Sequence, residues 1–222
     1  MSTIFFDLDN TIINTKEVAP KAYEKALSEV AKKYKTNLSG LFKEWKSIVN
    51  ELKAEMNPKK RLFSYSLKKL LNQREYKFNK KFIDYIVDIQ ENDLIERLKF
   101  TPGTKRFLEG RHHNYYQVIF TENPKKLVEK KLKKFNILKE FRRIITAEEV
   151  GSMKPHPAYY TIIYKEFDMY PDQGYYIGDN WEKDCELPSE AGGVGILFRG
   201  KDDEALFTIN NMLELYDIFK MF

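Results

Sequence analysis

The stretch FFDLDNT at residues 5–11 places two acidic residues directly after a run of apolar ones. Residues 3–8, TIFFDL, combine β-branched and aromatic residues, and they predict a short buried strand that ends at a polar cluster. Because successive side chains of an extended chain point to opposite faces, Asp7 and Asp9 should point the same way. Two carboxylates about 4 Å apart repel each other by about 4 kcal/mol at an effective dielectric constant of about 20. A bound cation is therefore expected to offset this repulsion.

The chain that follows this strand falls into two regions with different hydrophobic spacing. Between residues 15 and 96, apolar residues recur every three or four positions, as in APKAYEKALSEVAKKY at 19–34, which predicts about four amphipathic helices. From Pro102 onward, strand-like and helix-like segments alternate, which is typical of a parallel sheet with helices on both faces. We therefore expect an α/β, Rossmann-like core made of residues 1–14 and 97–222, with residues 15–96 inserted as an all-helical domain.

Four further expectations concern the α/β core. VGILF at 194–198 is expected to be the last strand, and ALFTINNMLELYDIF at 205–219 is expected to be one helix. EKDCELPSEAG at 182–192 is expected to be a helix as well. His112 and His113 lie in a predicted turn without a partner cluster, so we expect turn residues there and not metal ligands.

Polar side chains follow the predicted strands of the core, at the point where each strand ends. Besides Asp7 and Asp9, these residues are Thr121, Glu122 and Asn123 after YYQVIF, Lys154 in the loop after RRIITA, and Asp179 and Asp184 after GYYIG. Because parallel strands bring their carboxyl ends to one edge of a sheet, these side chains should converge. An all-oxygen cluster suits Mg²⁺, a lysine and a hydroxyl suit phosphoryl oxygens, and one carboxylate remains available as a nucleophile.

Four motifs, in this order, resemble those of the haloacid dehalogenase (HAD) superfamily. Its D-x-D-x-T motif is matched by DLDNT at 7–11, its strand-ending Thr by Thr121 in VIFTEN, its lysine before proline by Lys154 in GSMKPHP, and its G-D-x(4)-D motif by GDNWEKD at 178–184. An acid two residues after the first aspartate resembles the phosphatase branch. The resemblance implies Mg²⁺-dependent hydrolysis of a small phosphomonoester through an aspartyl phosphate. It also implies that the helical insertion is a cap domain.

The resemblance implies a role for each matching residue. Asp7 corresponds to the nucleophile, and Asp9 to the general acid that protonates the leaving oxygen and then acts as base on the hydrolytic water. Mg²⁺ is expected on Asp7, on Asp9 through its backbone carbonyl, and on Asp179. The phosphoryl group is expected beside Thr121, Glu122 and Lys154, with Thr11, Asn123, Asn180 and Asp184 around them. The side chain of Glu122 should point away from the phosphate, which its charge would repel.

The composition indicates the cellular compartment and the kinds of partner to expect. The chain has 222 residues, a net charge of +5 and one cysteine, Cys185, which cannot form an internal disulfide, so a cytoplasmic enzyme is expected. No apolar stretch approaches the roughly 18 residues that span a bilayer, so no membrane partner is expected. The lysine-rich segments, EKKLKK at 129–134 among them, are interleaved with acids. We expect solvated helix faces there and do not expect nucleic acid as a partner.

The expected partner is a small phosphorylated metabolite: a nucleotide, a sugar phosphate or phosphoglycolate. Two alternatives stay open on the sequence. A phosphoglucomutase-type enzyme would use the same site to transfer the phosphoryl group to another acceptor. A non-enzymatic protein would use its basic helices to bind nucleic acid or another protein. Lys59, Lys60 and Arg61 in NPKKRLF are expected in a solvated connection, with a substrate clamp as the alternative.

Overall fold

The computed structural model describes residues 2–110, 115–167 and 173–221. His112 and His113 lie outside these residues. The chain forms two compact units, of which one consists of Met1–Thr15 and Lys99–Phe222 and the other of Lys16–Leu98. Within the described ranges, no helix combines the length and the apolar character that crossing a bilayer requires.

The unit Lys16–Leu98 is helical. Its four α-helices are α1 (Ala19–Tyr34), α2 (Leu38–Lys53), α3 (Phe63–Gln73) and α4 (Lys80–Arg97), with a short 3₁₀ helix at Pro58–Arg61. Their apolar faces meet in one core that includes Val30, Leu41, Leu70 and Ile86. Four amphipathic helices are what the spacing of three and four residues predicts.

The other unit contains a six-stranded sheet whose strands all run parallel. The strands are β1 (Ser2–Phe6), β2 (Tyr115–Thr121), β3 (Arg143–Thr146), β4 (Gly174–Gly178), β5 (Val194–Phe198) and β6 (Phe207–Ile209). Their order across the sheet is β3-β2-β1-β4-β5-β6. β1 is therefore central, with Phe6 opposite Ile119 of β2 and Ile177 of β4. The predicted α/β, Rossmann-like fold is confirmed.

Helices cover both faces of this sheet. In the described part of the unit they are α5 (Thr104–Glu109), α6 (Lys125–Lys134), α7 (Ala147–Val150), α8 (Pro157–Phe167), α9 (Leu187–Glu190) and α10 (Leu215–Phe219), with 3₁₀ helices at Leu138–Glu140 and Met212–Glu214. Phe5 stacks on Tyr176 at 4.9 Å between ring centroids, in a cluster that includes Tyr159 of α8. Phe6 points to the opposite face and meets the edge of Phe107 of α5 at 6.0 Å. The two aromatic residues before Asp7 thus anchor β1 in two different cores.

The C-terminal segment differs from its prediction as one helix with VGILF as the last strand. Phe207–Ile209 forms β6, which pairs with β5. The helical turns begin only after Asn211, whose side chain accepts the N–H of Leu213 at 3.0 Å, while the Glu214 carboxylate accepts the N–H of Asn211 at 2.8 Å. This capping box fixes the start of the helical turns, so the apolar residues before it are free to extend the sheet.

Candidate active site

Three strand ends meet at one edge of the sheet, and each carries a residue that the sequence predicted for the site. The N–H of Asp7 donates to the carbonyl of Ile177 at 2.8 Å, so the pairing of β1 with β4 continues one residue beyond β1. Thr121 ends β2, and Asp179 directly follows β4. At this edge, Asp7, Asp179 and Asp184 place carboxylate oxygens within 4.8 Å of one another.

Asn10 holds the turn that follows β1. Its φ is 65°, in the left-handed region that asparagine tolerates better than most residues. Its side-chain oxygen accepts hydrogen bonds from the N–H and the hydroxyl of Thr15 at 3.1 and 3.2 Å. The same side chain also hydrogen-bonds Asp179. The turn that carries Asp9 is therefore tied to the end of β4.

Lys154 is the cation beside Asp7 and Asp184. It lies in the loop before α8 and is 2% exposed. Its ammonium donates to Asp7 Oδ1 at 2.7 Å, to Asp184 Oδ1 at 2.5 Å and to the carbonyl of Phe120 at 3.3 Å. Burial alone would lower the pKa of this ammonium, but the charges of Asp184 and Asp7 outweigh burial and raise that pKa well above its usual range. Lys154 is therefore a permanent positive charge beside Asp7.

The GDNWEKD segment reaches the site through a wide turn. Glu182–Glu186 forms one π-helical turn before α9, so the helix predicted over 182–192 begins with a π-helical turn and ends at Glu190. The wide turn lets Asp184 return to the end of β4, where it accepts the N–H of Asn180 at 3.2 Å. A Cβ on Gly178 would lie 2.2 Å from Asp184, so only glycine fits beside it. This close approach explains the spacing of Gly178 and Asp184.

Asp9 is held from two sides. The amide of Asn123 donates to Asp9 Oδ2 at 2.7 Å and to the hydroxyl of Thr121 at 2.9 Å. The ammonium of Lys131 in α6 donates to Asp9 Oδ1 at 2.6 Å and to Asn123 Oδ1 at 3.2 Å. The second predicted motif is thus linked to the first by direct hydrogen bonds.

Lys131 is the residue that the sequence analysis missed. The expectation of a solvated helix face is wrong for this lysine, which is 1% exposed. The sequence did contain a sign that Lys131 is buried. Lys131 lies three residues after Val128 and directly before Leu132, and these two are the other buried residues of α6. It therefore occupies an apolar-stripe position of an amphipathic helix.

Glu122 and Thr11 make other contacts. The carboxylate of Glu122 pairs with the ammonium of Lys183 at 3.0 Å, so its negative charge is compensated. The carbonyl of Thr11 accepts the hydroxyl of Thr101 at 2.5 Å, which fixes the turn after β1 to the segment before α5. The Thr11 hydroxyl is buried and has no hydrogen-bond partner among the described residues.

The acids outnumber the cations at this edge. Among the residues that the structure describes there, four aspartates (Asp7, Asp9, Asp179 and Asp184) face two buried lysines, which leaves a formal charge of −2. Burial, with the charge of Asp184 adding to it, raises the pKa of Asp179 to about 6. Burial also raises the pKa of Asp7 well above its usual range; the charges of Asp184 and Asp9 add to this effect, and Lys154 opposes it. Oxygen ligands with surplus negative charge are what a hard divalent cation requires, so the three clustered acids can hold one.

Comparisons with known proteins agree with this geometry. Residues 4–194 match the model of the haloacid dehalogenase-like hydrolases. The glyceraldehyde 3-phosphate phosphatase of Pyrococcus furiosus is 26% identical over 201 residues, which cover 90% of this chain and 81% of that protein. The glyceraldehyde 3-phosphate phosphatase of Methanocaldococcus jannaschii is 26% identical over 225 residues, which cover 98% of this chain and 96% of that protein.

A solved structure shows the same fold. The HAD hydrolase YfnB of Bacillus subtilis, crystallised with bound magnesium, superposes with a TM-score of 0.72 at 18% identity and covers 99% of this chain and 98% of its own. Since the family model matches most of the sequence, the chain belongs to the haloacid dehalogenase-like hydrolase family. The protein is an enzyme of the phosphatase class, as the sequence predicted.

Proposed function

We propose that the protein hydrolyses a small sugar-phosphate-type monoester in a Mg²⁺-dependent reaction through an aspartyl phosphate on Asp7. The observation that carries the proposal is the buried Asp7 carboxylate, which lies 2.7 Å from Lys154 and within 4.8 Å of two further acids. Relatives named glyceraldehyde 3-phosphate phosphatases support a short sugar phosphate as the substrate class. The fixed cation and the acid cluster suit a phosphoryl group and its counterion.

The residues at this edge supply each step of such a reaction. An oxygen of Asp7 bonds to phosphorus as the ester P–O bond breaks, and the leaving oxygen takes its proton from Asp9. A water oxygen then bonds to phosphorus as the bond to Asp7 breaks, and Asp9 takes the proton of that water, which regenerates Asp7 and releases inorganic phosphate. Lys154 and Thr121 would hold the phosphoryl oxygens throughout.

Mg²⁺ would be held by Asp7, by the backbone carbonyl of Asp9 and by Asp179, with Asp184 and Asn180 beside them. When bound, the ion neutralises charge on the phosphoryl oxygens. The surplus negative charge of the edge and the raised pKa of Asp179 support this ligand set, because a cation relieves both.

We also propose that the helical unit acts as the cap that selects the substrate. It has a cavity of about 360 Å³. The lining includes three aromatic and three basic side chains, from Tyr23, Trp45 and Phe63 and from Lys46, Lys53 and Arg61. Apolar walls with a few charged groups are typical of small-ligand sites, and basic groups favour an anionic ligand. Arg61 is half-buried with its Nε enclosed, so it differs from the solvated connection that the sequence predicted.

A phosphate-release assay tests the proposal directly. Wild type should release inorganic phosphate from at least one of glyceraldehyde 3-phosphate, phosphoglycolate, hexose phosphates and nucleoside monophosphates with Mg²⁺, and it should lose this activity in EDTA. Asp7→Asn keeps the shape of the side chain but removes the attacking charge, so release should fall by at least about 10³-fold. Asp217→Asn, which changes an exposed acid paired with Lys220, is the matched control.

Two outcomes would contradict this function. Near-normal turnover by Asp7→Asn would exclude Asp7 as nucleophile. Consumption of substrate without release of inorganic phosphate would favour phosphoryl transfer to another acceptor.

A further inference from the structure

Lys131 is a buried cation that the proposed reaction does not yet use. It belongs to a helix with six lysines, KKLVEKKLKK, in which the neighbouring Lys130 and Lys133 are exposed. Taking an ammonium group out of water is costly unless it is paired, and an apolar side chain would fill a stripe position without that cost. A lysine at this position therefore needs an explanation beyond packing.

The contacts of Lys131 point to one group. Its ammonium lies 2.6 Å from Asp9 Oδ1, and its other hydrogen bond among the described residues, 3.2 Å to Asn123 Oδ1, goes to the residue that holds the other oxygen of Asp9. The Lys131 side chain is 1% exposed and that of Asp9 is 27% exposed. The lysine of this pair is thus enclosed by the protein, whereas the carboxylate is partly accessible to solvent and substrate.

We propose that Lys131 is a positioning residue for Asp9, an inference that rests on the proposed function. A carboxylate can accept about four hydrogen bonds, and Lys131 and Asn123 each take one position on a different oxygen. The two donors fix the plane of the carboxylate, and each oxygen keeps a position through which a proton can leave or arrive. Asp9 is thereby held in one orientation for both of its proton transfers, to the leaving oxygen and from the hydrolytic water.

The leaving group distinguishes this role from a structural one. An alkoxide is strongly basic and needs the proton from Asp9 as the ester bond breaks, whereas p-nitrophenolate leaves without a proton. The value of kcat/KM covers the steps up to loss of the leaving group. A misplaced Asp9 should therefore lower kcat/KM for alkyl phosphates and spare kcat/KM for p-nitrophenyl phosphate.

The test compares Lys131→Met with Lys131→Arg and with Lys133→Met, an exposed control on the same helix. The alkyl substrate is glyceraldehyde 3-phosphate or the best alkyl phosphate of the release assay. We expect Lys131→Met to lower its kcat/KM by about 10²-fold, the range that general acid catalysis contributes, and to lower kcat/KM for p-nitrophenyl phosphate by less than about 5-fold. Lys131→Arg should restore much of the loss, and Lys133→Met should behave as wild type.

The same substitution in an Asp9→Asn protein tests whether Lys131 acts through Asp9. If Lys131 acts through Asp9, then Lys131→Met should have little further effect in an Asp9→Asn protein. Equal losses on both substrates, or a full additional loss in the Asp9→Asn background, would overturn the proposal. If Lys131→Met does not fold, Lys131→Gln replaces it, and failure of both to fold would make Lys131 structural and overturn the proposal as well.

The proposed function fails in a different way. In that case wild type releases no phosphate, or Asp7→Asn remains active. If only the positioning role of Lys131 is wrong, wild type stays active and Asp7→Asn inactive, while Lys131→Met either matches the Lys133→Met control or shows one of the two overturning results above.

Discussion

Asp179→Asn should stabilise the metal-free protein while removing its response to Mg²⁺. Asp179 has a pKa of about 6 against an ordinary value of 3.8, because it is half-buried and lies near Asp184. A pKa shift of one unit corresponds to about 1.4 kcal/mol. Keeping this group ionised at pH 7.5 therefore lowers the free energy of unfolding by at most about 3 kcal/mol. Solvent reaches the half-buried side chain and screens its charge, so we expect about 1–2 kcal/mol to be recovered on neutralising it.

This free energy converts into a measurable shift in melting temperature. For a chain of this length, 1 kcal/mol corresponds to about 2–4 °C, so Asp179→Asn should melt about 2–8 °C above wild type in EDTA at pH 7.5. The substituted amide can still accept the hydrogen bond from Asn10, so the turn after β1 should persist. Adding Mg²⁺ should raise the Tm of wild type, because the ion binds the folded state, and should leave the variant nearly unchanged.

Differential scanning fluorimetry in EDTA and in excess Mg²⁺ measures both effects. Asp217→Asn serves as the control, because its carboxylate is 74% exposed and pairs with a lysine on the surface. A lower Tm for Asp179→Asn in EDTA would refute the argument from crowded charge. A Mg²⁺ response equal to that of wild type would remove Asp179 from the ligand set.

Two more predictions concern pH and the helical unit. Because the pKa of Asp179 is raised in the fold, the folded metal-free protein keeps a proton between about pH 4 and pH 6 that the unfolded chain releases, and this stability is lost as pH rises through about 6. The increase in Tm on adding Mg²⁺ should therefore be larger at pH 7.5 than at pH 5.5, and equal increases would contradict the assignment. Arg61→Ala should raise KM for the physiological substrate about tenfold and leave kcat unchanged, because it removes one hydrogen bond to an anion. Steady-state kinetics measure both constants, and an unchanged KM would exclude Arg61 from substrate binding.

Much of the fold was accessible from the sequence because its main signals are local. The spacing of three and four residues in 19–34 follows directly from the geometry of α1, and the alternation of strands and helices after Pro102 requires a parallel sheet. β6 was not accessible in this way. Its three residues have too little periodicity of their own, and they become a strand only because β5 offers an unpaired edge.

The residues of the candidate site likewise differ in whether local sequence could predict them. Asp7, Thr121 and Asp179 could be placed because each directly follows or ends a strand, and strand ends of a parallel sheet converge. The partner of Asp9 could not be chosen by composition, since α6 contains six lysines of the same chemistry. Which of them turns inward depends on the rotation of the helix against the sheet, which is set by contacts distant in sequence.

The pairing of acids with lysines explains how two aspartates one residue apart could take the different roles proposed for them. Asp7 continues the pairing of β1 with β4, and it is buried against Lys154, so its carboxylate is fixed at the edge of the sheet. Asp9 lies in the turn beyond β1, is partly exposed, and is held by residues of a different segment, Asn123 and Lys131. Among the described residues, Asp179 is the acid of this edge without a lysine or arginine at ion-pair distance. In the proposed reaction, the partners of Asp7, Asp9 and Asp179 therefore suit them to act as nucleophile, general acid and metal ligand, and the one-residue spacing in FFDLDNT does not by itself separate the roles of Asp7 and Asp9.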